Sequence, residues 1–145
     1  MSNLYTIGFS GKSACNFFEL LKNNNIKLLI DVRLNNVSQL SGYTKKNDLI
    51  YFLDKICGIA YLHAQFLAPT KDILDGYKKK EITWNEYEQL YLNLIKNREL
   101  GLEISSLDFD NACLLCSEAK ADFCHRRLAA NHIKAQCPDI NIIHI

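Results

Sequence analysis

Two kinds of apolar pattern take turns along this chain, and their alternation limits the folds open to it: short uninterrupted runs, and segments whose apolar residues recur every three or four positions. Lys27-Leu28-Leu29-Ile30-Asp31-Val32 and Ala112-Cys113-Leu114-Leu115-Cys116 are continuously apolar instead of alternating, the pattern of strands covered on both faces. Leu4-Tyr5-Thr6-Ile7, ending at Gly8, is a third β-type run. Ala60-Tyr61-Leu62-His63 and Ile140 to Ile145 complete the set. Between them lie helical segments. Ala14, Phe17, Phe18 and Leu21 share one face, up to the polar stop Asn23-Asn24-Asn25. After an irregular stretch from Leu34 to Thr44, Leu49, Phe52, Leu53 and Ile56 share another, with Gly58 as the stop. Pro69 starts a break before a short helix through Ile73, Leu74 and Tyr77. Thr83 caps a longer one carrying Trp84, Tyr87, Tyr91, Leu94 and Ile95, an aromatic stripe expected to be core. Phe123 to Gln136 is the last helix, and Gly101 to Asp110 fits neither period.

Strand, helix, strand in repetition implies parallel pairing, because a parallel crossover needs a connection long enough to hold a helix. The expected fold is a single α/β domain over residues 1–145, a mainly parallel sheet with helices on both faces. In such sheets the reactive crevice lies beyond the carboxyl ends of the strands. That rule singles out Ser10, Asp31, Arg33, His63 and the segment from Cys116 onward.

Seventeen basic and sixteen acidic side chains leave a net charge of +1, so the charge does not indicate a nucleic-acid partner. Lys78-Lys79-Lys80, the one dense run, abuts Glu81 and reads as the solvated end of a helix. No apolar run is long enough to span a membrane, and no basic segment precedes an apolar one at the start, so the expected home is cytoplasmic. Six cysteines in a reducing compartment are buried thiols, reactive thiols or ligands, not disulfides.

Cys113 and Cys116 lie three apart in a strand, so their side chains leave opposite faces and cannot readily grip one ion. Cys113 is expected in the core, as are Cys15, Cys57 and Cys137. Cys116 ends its strand at the reactive edge. Cys124 stands at the start of the last helix, with Asp122 as N-cap, where the helix dipole would favour a thiolate. His125 can exchange a proton near neutral pH, Arg126 can clamp an oxyanion, and Glu118 shares the loop. Asp31 and Arg33, two apart, lean to one face, as a structural ion pair or as part of a site. Gly8-Phe9-Ser10-Gly11-Lys12-Ser13 looks like a phosphate loop but has two residues between its glycines where four are needed.

Tyr5-Thr6-Ile7-Gly8-Phe9-Ser10, Asp31-Val32-Arg33, Gly58-Ile59-Ala60-Tyr61-Leu62-His63, Leu115-Cys116-Ser117-Glu118 and Cys124-His125-Arg126 resemble, in order, the blocks of the domain-of-unknown-function-488 family. The family usually carries His where Phe9 stands, and often a proline and arginine where this chain has Leu34-Asn35-Asn36-Val37. Membership implies an α/β fold and supplies no activity, substrate or cofactor. A partial likeness to rhodanese sulfurtransferases rests on Leu29-Ile30-Asp31-Val32-Arg33 and a strand-ending cysteine, but Glu118 and Asp122 would repel an anion from a sulfur cradle.

Three readings are open. The first is an enzyme acting on an anionic small molecule: Cys116 or Cys124 as nucleophile, His125 or His63 as acid/base, Glu118 and Asp31 in support. Ser10, Arg33 and Arg126 would then bind the anion. The second is a zinc or iron site built from Cys116, Cys124 and His125, with His63 or Glu118 as further ligands. The third is a non-catalytic module that binds nucleic acid or protein.

Overall fold

The computed structural model describes residues 2–37 and 41–145. Its strands are β1 (Ser2–Gly8), β2 (Leu28–Asp31), β3 (Ala60–His63), β4 (Ala112–Cys116) and β5 (Ile140–His144). They form one sheet in the order β3-β2-β4-β1-β5, and each described pairing is parallel. The helices are α1 (Ala14–Asn23), α2 (Lys46–Phe52), α3 (Lys71–Lys78), α4 (Trp84–Asn97), α5 (Gly101–Ser105) and α6 (His125–Gln136). The α/β fold with helices on both faces is thus as the apolar periods imply. The residues from Gly101 that fit neither period contain the short helix α5.

Strand alternation divides the core in two. Tyr5, Ile7, Leu29, Cys113 and Leu115 face one way, onto Phe17, Phe18 and Leu21 of α1 and Leu49 of α2. Leu4, Ile30, Ala112, Leu114 and Cys116 face the other way, onto α4, α5 and α6. Phe17 and Leu21 have no exposed surface, and each contributes roughly 1.5–3 kcal/mol by leaving water.

Several expectations change. After α2 the chain makes a π-turn, Leu53–Cys57, before Gly58 ends it in the left-handed region at φ 65°. The wider turn shifts the helical phase, so Ile56 is 48% exposed while Cys57 packs on the core. Cys15 is exposed, and Cys57 and Cys137 are half-buried, so of the four cysteines expected in the core only Cys113 is fully enclosed. The last helix starts at His125, two residues later than its periodicity suggests, and its N-cap is Cys124, not Asp122. Thr83 does cap α4, reciprocally with Glu86. Of the irregular stretch over 34–44, residues 38–40 lie outside the described residues, and Gly42–Thr44 is a 3-10 turn. No helix among the described residues is long and apolar enough to cross a membrane.

Candidate functional site

The neighbouring strands β2 and β4 end side by side, and the loops leaving them meet the start of α6. The first turn of α6 is drawn in under these ends because Arg126, 1% exposed, reaches beneath β1. Its Nε donates to Thr6 Oγ1 at 3.2 Å, its Nη1 to the Glu118 carbonyl and its Nη2 to the Ala119 carbonyl at 3.4 Å. Gly8 makes room for this: a Cβ there would overlap the Glu118 carbonyl oxygen. The loop after β4 is pinned further by Phe9 N–H to the Cys116 carbonyl and Ser10 N–H to the Ser117 carbonyl.

The result is a compact group of three. The ligand-capable atoms of Cys116, Cys124 and His125 all lie within 4.8 Å of one another, and all three residues are buried. His125 Nε2 is 2.7 Å from the Val32 carbonyl, which can only accept, so Nε2 carries the hydrogen. Cys116 Sγ lies beside the imidazole, 3.5 Å from Nδ1 and 3.8 Å from Nε2. The two thiols differ. The Cys124 S–H donates to Cys116, which holds the Cys116 thiol below its ordinary range against the opposing effect of burial. Cys124 is pushed well above the ordinary range by the same hydrogen bond and by burial.

Asp31 and Arg33 form a bidentate pair, Nε to Oδ1 and Nη2 to Oδ2, both 2.8 Å. Tyr61 Oη adds a 2.6 Å hydrogen bond to Asp31, and burial followed by that carboxylate pushes the Tyr61 phenol up. His63 Nε2 donates to the Arg33 carbonyl at 2.8 Å. These contacts fix where Arg33 sits, with Phe9 5.5 Å beneath its guanidinium.

A cavity of about 720 Å³ opens over this arrangement. Cys116, Cys124, His125, Arg33, Ser10 and Glu118 line it. Asp31, His63 and Arg126 do not line it: the first two hold Arg33, and Arg126 holds the loop. Neither His63 nor Glu118 joins the Cys-Cys-His group among the described residues. Sequence reasoning missed Tyr61, the partner of Asp31, because a tyrosine in a strand carries no mark of its partner. The aromatic stripe is core, as its spacing implies: Tyr87, Tyr91 and Ile95 are buried and Trp84 packs against that cluster. Trp84 is half-buried and, with Tyr87 and Phe123, also walls the cavity, and Lys78 and Lys80, exposed at the end of α3 as expected, line it too. The phosphate-loop likeness ends in the structure as well: Lys12 Nζ bends back to the Gly8 carbonyl at 2.7 Å.

The family model described as Domain of unknown function DUF488 matches residues 13–133. The chain belongs to the DUF488 family. The DUF488 match runs from the N-cap of α1 into α6, and so includes Asp31, Arg33, Cys116, Cys124 and His125, while Ser10 and β5 lie outside it. No curated protein and no solved structure matches the chain.

Proposed function

We propose that this protein binds zinc or iron through Cys116 Sγ, Cys124 Sγ and His125 Nδ1, with a remaining coordination position open to the cavity. The observation that carries the reading is the convergence of these three buried ligand atoms within 4.8 Å. Tetrahedral zinc with ordinary bond lengths needs sulfur–nitrogen edges of about 3.6 Å and a sulfur–sulfur edge of about 3.8 Å. Cys116 Sγ is 3.5 Å from Nδ1, a distance of that size, and 3.8 Å from Nε2, so the ring has to turn to aim its Nδ1 lone pair at a metal shared with Cys116. The hydrogen bond from His125 Nε2 to Val32 supports the same reading, since an imidazole ligand is usually oriented by an acceptor on its other nitrogen. Three protein ligands facing a cavity is the arrangement of catalytic sites; structural ones are closed by a fourth. A bound metal there supplies Lewis-acid polarisation of a substrate oxygen or a water acidic enough to ionise near neutral pH.

The test is elemental analysis of protein purified without an affinity tag, followed by cobalt substitution. Expected is about one zinc or iron per chain, with thiolate-to-cobalt charge-transfer bands that weaken in Cys124→Ala and disappear when Cys116 is replaced as well. A folded protein that takes up no metal even from excess zinc or ferrous iron would sink the reading.

One observation favours a second reading, thiol catalysis. In it Cys116 would be the nucleophile, His125 the base and the Val32 carbonyl the group that orients the ring, with Cys116 Sγ 3.5 Å from Nδ1 and 3.8 Å from Nε2. Fast alkylation of Cys116 that is indifferent to a chelator would favour it over the metal.

A further inference from the structure

The Cys124 side chain gives up the role that its position offers. At the N-cap of α6 a Ser, Thr, Asp or Asn would accept from a backbone N–H of the first turn, and Cys124 makes no such bond. Its S–H is turned to Cys116 instead. The two sulfurs lie within 4.8 Å of each other, and all six cysteines are free thiols. Cys113, on the same strand as Cys116, packs into the core on the opposite face of the sheet, so it cannot take Cys116's place beside Cys124.

Two further features bear on what this pair can do. Both residues line the cavity, Cys116 with 5% of its surface exposed and Cys124 with 3%, which admits a small oxidant sooner than a bulky one. A bond between the sulfurs requires them to close to roughly 2.05 Å. Seven residues join the two cysteines, and Glu118, Ala119, Lys120, Asp122 and Phe123 among them are exposed. Most of that segment adjusts through solvent and not through core.

We propose that Cys116 and Cys124 form a modification site, closed to a disulfide by a hydroperoxide that enters the cavity, and that the closed form holds no metal. The disulfide needs only the two thiols; the exclusion of metal rests on the reading of this site as a metal centre. With hydrogen peroxide, the Cys116 sulfur attacks one peroxide oxygen: an S–O bond forms, the O–O bond breaks, and the other oxygen leaves as water with the thiol proton. The Cys124 sulfur then attacks Cys116: the S–S bond forms, the S–O bond breaks, and hydroxide leaves with the Cys124 proton as a second water. Two thiols and one peroxide become one disulfide and two waters, the sulfurs giving up the two electrons that the peroxide takes. Zinc and iron bind cysteine as thiolate, so the same event removes two of the three ligands.

The test treats chelated protein with equimolar hydrogen peroxide, alkylates it in denaturant, cuts it after Lys120 and locates the bonds by fragment mass spectrometry. The expected product is a Cys116–Cys124 cross-link that a reductant reopens, with Cys15, Cys57, Cys113 and Cys137 recovered alkylated. In Cys124→Ser the second step is lost, so Cys116 should accumulate as a sulfenic acid that dimedone traps. Zinc-loaded protein should release its zinc in proportion to the disulfide formed. No cross-link even in excess peroxide, a bond from either cysteine to a third, or passage of Cys116 straight to sulfinic acid in the unaltered protein would each overturn the proposal. Oxidised protein that still takes up zinc would overturn the exclusion. A protein that takes up no metal in either state refutes the metal reading and the exclusion with it, while the cross-link in chelated protein decides the disulfide by itself.

Discussion

The two faces of the sheet are made of similar residues and do different things. On the α1–α2 face, Phe17, Leu21, Leu49, Leu53 and Cys113 are all wholly enclosed. On the α4–α6 face the apolar packing loosens towards the strand ends. Along α4, Tyr91 is 0% exposed and Tyr87 2%, Trp84 is half-buried, and Phe123 beyond them is 60% exposed. The core there continues into a cavity wall. Cys113 and Cys116 show the consequence on a single strand. Both are buried, yet burial pushes the Cys113 thiol up while Cys116 is held down by the hydrogen bond from Cys124. Burial alone makes a thiol inert; what stands beside it decides whether it has chemistry.

This contrast is tested most severely by alkylating the chelated protein across pH and resolving each cysteine by peptide mass spectrometry. The thiolate is the reacting form, so a lowered pKa enlarges its fraction at any given pH. Cys116 should therefore react faster as pH rises and level off below the ordinary thiol value of ~8.5. Cys113, with its pKa raised, should stay protonated throughout and react at least ~100-fold more slowly. Equal rates would remove the distinction between the faces.

Phe17→Ala attacks the closed face alone. It should cost about 3–5 kcal/mol of stability in denaturant titrations while leaving metal stoichiometry unchanged in the folded fraction. Arg126→Met attacks the joint between loop and sheet. Two carbonyls lose their donor, which should cost about 2–3 kcal/mol and lower metal retention, because the loop between Cys116 and Cys124 is no longer held. If Arg126→Met cost stability but left metal binding intact, the loop would not be what positions the site. Smallest is Thr83→Ala, which removes the reciprocal cap of α4. About 1 kcal/mol of stability should go, with Trp84 fluorescence shifting towards that of a more exposed ring as the helix end frays.

Much of this was legible without coordinates because the signals involved are local. A continuous apolar run, a threonine just ahead of a helix, and a glycine at a helix end each act within a few residues. The sheet, the order of its elements and the cap at Thr83 follow from them. The strand-end rule also points to Cys116, Arg33 and Ser10, which do line the cavity. It points equally to Asp31 and His63, which hold Arg33 instead. That difference is invisible in the chain, since it depends on which neighbour's backbone each side chain meets. The aromatic stripe is core as read, and its start also walls the cavity: helical spacing says which residues share a face, not where the opposing layer ends.

Local patterns in the chain set the alternation of strands and helices, and with it which residues arrive at the carboxyl edge of the sheet. Their roles were assigned by the folded arrangement alone. A hydrogen bond from His125 to the Val32 carbonyl, 93 residues apart in sequence, selects the tautomer of the imidazole beside Cys116. A bidentate aspartate leaves one nitrogen of Arg33 unmatched, and a glycine in β1 lets a carbonyl from the β4–α6 loop sit against it. These are contacts between groups held together by the fold, and hydrogen-bond geometry is set to within tenths of an ångström by packing that no local pattern encodes.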